Sequence, residues 1–269
     1  MPYGLTLDQV RQTRRPTPHT TDWGSITPLT EMEQFAMGRM EIAAGGAQRL
    51  HFFCSRYQAF VESGDVVVRS LDKEGNAQAG VVGGGEVLPL PQHFIHGFAS
   101  ERGAVIYLFG PRVEGQFEPA YTETIAAATE AFRALKPSGL PHAGQATMDV
   151  REKYWGRIET ILSDDVAAKR IFVRKGGQSS LEYHVEKSES YFIHSGLLRV
   201  GLRIGRAENH SIVMGAGESY DVRPGVMHMR MGLEDTVIIE VSTRDSDSDS
   251  YLVEDGQTYR HTDANEKTT

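Results

Sequence analysis

Gly176-Gly177-Gln178-Ser179-Ser180-Leu181-Glu182-Tyr183-His184-Val185-Glu186-Lys187-Ser188-Glu189-Ser190-Tyr191-Phe192-Ile193-His194-Ser195-Gly196 sets out a turn-strand frame that recurs along the chain. Glycines bracket it. Between them lie a carboxylate and an imidazole two positions apart, Glu182 and His184, and then a second carboxylate, Glu189. Side chains two apart on a strand point to the same side, so Glu182 and His184 share a face. Farther on, Gly217-Glu218-Ser219-Tyr220-Asp221-Val222-Arg223-Pro224-Gly225-Val226-Met227-His228 brings a second imidazole, His228, in from a distant strand after the Pro224-Gly225 turn.

The same frame occurs in the first half of the chain. Gly45 is followed by His51-Phe52-Phe53, Tyr57 and Gly64, and a partner segment runs from Gly85 to His96. Short apolar runs separated by Gly-rich turns, such as Val66-Val67-Val68 and Ala104-Val105-Ile106-Tyr107-Leu108-Phe109, predict β-strands at close spacing and an all-β sandwich or barrel. Halves that share one turn-strand frame imply an internal duplication. Between them, Ile125, Ala128, Phe132 and Leu135 fall on one helical face before Pro137, which predicts a helical linker. The expected division is an N-terminal arm over 1–20, a first barrel over 21–120, the linker over 121–149, a second barrel over 150–255 and a tail over 256–269. The tail region from Asp245 carries Asp-Ser repeats, and its last residues are expected to be disordered.

Bulk composition narrows the partners. The 269 residues are 39% hydrophobic and 24% charged, and 28 basic against 36 acidic residues leave a net charge of −8. That balance argues against nucleic acid as a partner. Cys54 is the only cysteine, so no intrachain disulfide framework is expected. Met1-Pro2-Tyr3-Gly4 does not read as a secretory signal, and no apolar run is long enough to span a membrane. A cytoplasmic protein acting on a small molecule fits these numbers. Two barrels in one chain can mimic a dimer, and assembly into a homodimer is compatible with the sequence.

Glu182, His184, Glu189 and His228 form an N/O donor set that suits one divalent transition metal: Mn, Fe, Co, Ni or Zn. The bland reading is a metal-free hydrogen-bonded network, which would need partners for its buried carboxylates. The frame resembles the two conserved motifs of the cupin superfamily over most of both halves. The resemblance implies a bicupin: two double-stranded β-helix (jelly-roll) barrels, with Glu182, His184, Glu189 and His228 at the metal-ligand positions. Lys153-Tyr154-Trp155-Gly156-Arg157, Lys169-Arg170-Ile171-Phe172-Val173 and Ser180-Leu181-Glu182-Tyr183-His184 are further similar to the cupin-type mannose-6-phosphate isomerases, with Glu182 where those have a ligating Gln.

The expected activity is a metal-dependent isomerisation of a sugar or sugar phosphate. The ion would stabilise an enediolate while Glu189 or Glu182 serves in catalysis. Arg230, two residues past His228, together with Tyr191 and Lys153, would meet the substrate. Lys187 alternates away from His184 and reads as solvated. A ferrous-iron dioxygenase of the cupin type and a non-enzymatic carbohydrate- or metabolite-binding bicupin are the competing readings. In the first half, His51, His93 and His96 occupy a degenerate site, where Phe53 cannot ligate and the barrel is filled by aromatics.

Overall fold

The computed structural model describes residues 6–72, 76–112 and 149–263. The helix expected within 122–136 lies outside these residues. The chain divides into two compact units, one of Thr17–Leu29 and Glu33–Thr147, the other of Met1–Pro16, Thr30–Met32 and Met148–Thr269. Among the described residues, no helix is long and apolar enough to cross a membrane.

The chain opens with α1 (Leu7–Val10) and β1 (Thr13–Arg14). Thr6 caps the one-turn helix through a reciprocal pair of bonds with Gln9. The N-terminal unit then runs through β2 (His19–Thr20), β3 (Gly24–Pro28), β4 (Ala36–Ile42), β5 (Tyr57–Ser63), β6 (Val66–Leu71), β7 (Ala77–Val82), β8 (Val87–Leu90), β9 (His96–Ala99) and β10 (Ala104–Gly110). These strands form two antiparallel sheets, ordered β2-β3-β4-β10-β5-β8 and β7-β6-β9. The alternation read from the sequence is clear in β6, where Val66, Val68 and Ser70 are buried and their neighbours are not. Its core holds Met40, Ile42, Phe53, Tyr57, Val61, Phe98, Ile106 and Leu108.

The C-terminal unit contains β11 (Asp149–Lys153), β12 (Gly156–Ser163), β13 (Val166–Val173), β14 (Leu181–Tyr183), β15 (Glu189–Ser195), β16 (Leu197–Ile204), β17 (His210–Gly215), β18 (Ser219–Val222), β19 (Val226–Gly232), β20 (Thr236–Thr243) and β21 (Tyr251–Glu254). One sheet is ordered β1-β18-β15-β20-β13-β12-β11 and the other β17-β16-β19-β14-β21. Ile171, Val173, Tyr191, Ile193, Leu198, Val200, Leu202 and Ile238 pack between them.

The shared glycine frame has a steric cause. Gly64 and Gly196, at matching places in the two halves, have φ of 80° and 88°. A Cβ at either position would collide with a backbone carbonyl, that of Gly103 or of Asp235.

One expectation about the ends is corrected. Residues 6–16 are not a free arm. β1 adds to the C-terminal unit beside β18, Val10 is buried in that unit's core, and the Tyr220 hydroxyl donates to the Val10 carbonyl at 2.7 Å. The last residues, expected to be disordered, lie outside the described residues, and the chain from Asp245 to His261 stays on the C-terminal unit. A 3-10 turn spans Asp247–Asp249, β21 pairs with β14, and His261 is buried with its Nε2 2.9 Å from the His210 carbonyl. Gly201 leaves the room that the His261 ring fills.

Trp23 and Trp155, the only tryptophans, report on the two units separately. Val10→Ala is expected to lower the stability reported by Trp155 by about 1.5 kcal/mol, at about 0.8 kcal/mol per buried methylene-sized group. The Trp23 transition should stay where it is. Denaturant titration of single-tryptophan variants checks both, and an unmoved Trp155 midpoint would refute the docking of this segment.

Candidate metal centre

The site lies between the two sheets of the C-terminal unit. Strand β14 pairs with β19 so that Glu182 and His228 face each other directly. His184 follows β14, and Glu189 opens β15 on the other sheet. One ligand atom each from Glu182, His184 and His228 lie within 4.8 Å of one another, a group that can hold a metal ion. Glu189 Oε1 is 3.3 Å from His184 Nε2, and its Oε2 is 3.2 Å from His228 Nε2.

The imidazoles are oriented by the backbone. His184 Nδ1–H donates to the Asp249 carbonyl at 2.7 Å, and His228 Nδ1–H donates to the Val226 carbonyl at 3.0 Å. A neutral ring that donates through Nδ1 carries a lone pair on Nε2. Both Nε2 atoms are buried without a hydrogen-bond partner, and both face the Glu189 carboxylate. Lone pairs facing an anion at this depth call for a cation between them, either protons or a metal ion. The donor set of two imidazoles and carboxylates therefore fits a divalent transition metal. Burial opposes a charge on His184, but Glu189 outweighs it and raises the pKa, so proton and metal compete for one position.

Glu189 is fully buried and held from behind. Lys187 Nζ lies 2.6 Å from its Oε1, and the Tyr191 hydroxyl donates to its Oε2 at 2.7 Å. Burial alone would raise the Glu189 pKa, yet Lys187 and the two imidazoles hold it well below the usual carboxylate range. Arg230 joins the two sheets: Nη1 donates to Glu240 and Nη2 to Glu182, each at 3.0 Å, and its guanidinium lies over the Trp155 and Tyr191 rings. Ser250 Oγ donates to the other oxygen of Glu182 at 3.1 Å. Burial pushes the Glu182 pKa up, but Arg230 and His228 bring it below its ordinary value.

The structure thus brings Glu182, His184, Glu189 and His228 together. Lys153 lines the adjoining cavity of about 180 Å³, as do Glu182, His184, Glu189 and Arg230. Tyr191, expected at the substrate, lies instead beneath Glu189 and is fully buried. Lys187 corrects the reading most sharply. It is 5% exposed, because residues 184–188 form a turn, where strand alternation does not apply. Glu240, Asp245 and Asp249 were not singled out as site residues, although Glu240 carried a signal as the one charge in the run from Thr236 to Thr243.

In the N-terminal unit the three histidines named for a degenerate site are brought together only in part. His51 and His96 are bridge partners with ring centroids 4.5 Å apart. His93 packs instead on Phe52, and the three histidines do not form a ligand group among the described residues. Phe53, Phe94 and Phe98 pack around His96.

Two such antiparallel barrels in one chain make this a two-barrel cupin fold. Solved structures share it. The oxalate decarboxylase of Lactobacillus farciminis, in a formate complex, is similar with a TM-score of 0.64 at 16% identity, over 89% of this chain and 86% of that one. A second oxalate decarboxylase gives 0.63 at 18% identity, over 86% of this chain and 75% of that one. The Bacillus subtilis oxalate decarboxylase, studied for its Mn(II) centres, gives 0.62 at 16% identity, over 94% and 78%. At these identities the likeness is one of fold. No protein-family model and no curated protein matches the sequence.

Burial holds His51 and His96 neutral, with pKa values lowered to about 4 and about 3. The unfolded chain takes up these protons below about pH 6.5. Stability of the N-terminal unit is therefore complete above that pH and falls as the pH drops toward 4, by up to about 1.4 kcal/mol per proton per pH unit. Urea midpoints of a Trp155→Phe variant, read through Trp23, should show this fall, and His96→Leu should flatten it. A midpoint constant from pH 7 to 4.5 would contradict the assignment.

Proposed function

We propose that the C-terminal barrel is a divalent-metal-dependent active site for a small anionic substrate. The reaction is proton transfer between adjacent carbons of a short open-chain sugar or sugar phosphate, an isomerisation. The observation that carries the metal is the convergence of two buried Nε2 atoms on Glu189, at 3.3 and 3.2 Å, with Glu182 completing a group within 4.8 Å of both imidazoles. Glu182, His184, Glu189 and His228 would hold the ion, which supplies Lewis acidity toward a substrate oxygen.

Charge supports an anionic substrate. Around the site three cations, Lys169, Lys187 and Arg230, meet three carboxylates, Glu182, Glu189 and Glu240. A divalent ion added to this balanced shell leaves net positive charge, and one further carboxylate, Asp245, offsets only half of it. Size favours a short substrate, since the cavity of about 180 Å³ is below the roughly 300–1,000 Å³ usual for small-molecule pockets. Of the two carboxylates in the proposed ligand set Glu182 is the more exposed, 24% against 2% for Glu189, and it would carry the proton while Arg230 and Ser250 orient it. Glu189, clamped by Lys187 and Tyr191, stays in the ligand set.

A second reading is decarboxylation of a small dicarboxylate. The same small cavity, positive once a divalent ion is added, favours it, and the fold neighbours are oxalate decarboxylases.

Elemental analysis of the purified protein should show about one transition-metal ion per chain, with affinity reduced at least about tenfold in His184→Ala and His228→Ala. The loaded protein should then introduce deuterium beside the carbonyl of a short aldose or its phosphate in deuterated water. Carbon dioxide from a small diacid without such exchange would select the second reading. Absence of metal, with no affinity for added Mn, Fe, Co, Ni or Zn, would overturn both.

A further inference from the structure

We infer that the segment Asp245–Ser250 is a displaceable strap, and that the Asp245 carboxylate stands in the subsite where Lys169 and Lys187 receive the anionic group of the substrate. This rests on the reading of the cavity as an anion site.

Two ammonium groups converge on one carboxylate. Lys169 Nζ is 2.7 Å from Asp245 Oδ2, and Lys187 Nζ is 2.8 Å from Oδ1. Their side chains are 9% and 5% exposed, and both line the cavity together with Asp245. Each carboxylate oxygen takes one lysine, as two oxygens of a phosphate or of a substrate carboxylate would. A small oxyanion can therefore take the place of Asp245 without new geometry.

The two ends of the strap are attached very differently. At Asp249 the attachment is dense. Its carboxylate accepts the backbone N–H groups of Val185, Glu186 and Lys187 at 2.8, 3.1 and 2.9 Å, and its carbonyl holds His184. At the other end Asp245 alone reaches the buried lysines, while residues 246–248 are exposed. Asp245 can thus swing out about an anchored Asp249, and His184 keeps its orientation while it does. The swing also enlarges a cavity that is otherwise short of space. With a divalent ion present, loss of the Asp245 charge leaves the balanced shell with two positive charges, which matches a dianion.

Calorimetric titration of the full chain with inorganic phosphate and with malonate tests this, the two arms separating phosphate from dicarboxylate recognition. Asp245→Asn should bind the preferred probe at least about tenfold more tightly than wild type, and Lys187→Gln should bind it more weakly. On wild-type protein, saturating probe should speed tryptic cleavage after the exposed Arg244, a measurement that decides the question even if a variant fails to fold. Equal binding by wild type and Asp245→Asn, or slower cleavage with the probe, overturns the strap and leaves the anion cavity standing. If neither protein binds either probe, the anion reading falls and the strap with it.

Discussion

Two imidazole Nε2 atoms and a carboxylate share a buried space at 3.3 and 3.2 Å, and the rest of the C-terminal barrel is organised around that constraint. Such a cluster is stable only with a cation inside it, because the interior screens poorly and offers no water to spread the charge. Protons on the rings meet the need partly. A single divalent ion meets it with both rings neutral, and the backbone has already selected the tautomer for this: the Asp249 and Val226 carbonyls take the Nδ1 hydrogens. Glu189 cannot turn away, since Lys187 and Tyr191 hold one oxygen each.

Outward from this centre the charges form a continuous chain: Glu182, Arg230, Glu240, Lys169 and Lys187, Asp245. Strand register sets four of its members, and Lys187 and Asp245 come from the connecting segments. Lys169 and Tyr191 both lie across from Glu240 on neighbouring strands, while Arg230 and Glu182 come from the facing sheet. Buried ion pairs gain little net stability over apolar packing, but removing one partner leaves a stranded charge at a cost of about 3–5 kcal/mol. The chain therefore acts mainly on position. It fixes Arg230 between the sheets and leaves Glu182 as the more exposed of the two carboxylates beside the imidazoles.

The frame glycines and strand alternation made much of this legible. Gly64 and Gly196 announce turns because only glycine avoids the carbonyl ahead of it, and the alternation of Glu182 with His184 survives from sequence to structure. Periodicity ends where the chain leaves the strand, so Lys187 was read as solvated when it is among the most buried charges of the site. The Asp-Ser run reads by composition only as the start of the tail region. Its fold depends on partners distant in sequence: the turn at Val185–Lys187 and the lysines at 169 and 187. The docking of Val10 depends likewise on a pocket formed by β18, which no local pattern encodes.

The two halves show how one backbone frame accepts opposite interiors. His51 faces His96 across a bridge just as Glu182 faces His228, and each second-strand histidine donates Nδ1–H to the carbonyl two residues before it. The differences lie at the next positions. Where the C-terminal barrel has His184 and Glu189, the N-terminal one has Phe53 and Tyr57, whose rings pack 4.8 Å apart. Burial drives both imidazoles there toward neutrality. The aromatic rings then fill the barrel by dispersion and area burial, with no ion required. The same reasoning in reverse explains the second barrel. Once Glu189 is placed between two imidazoles, apolar packing can no longer close the interior, and the lysine and arginine that pair with the buried carboxylates become conditions of the fold.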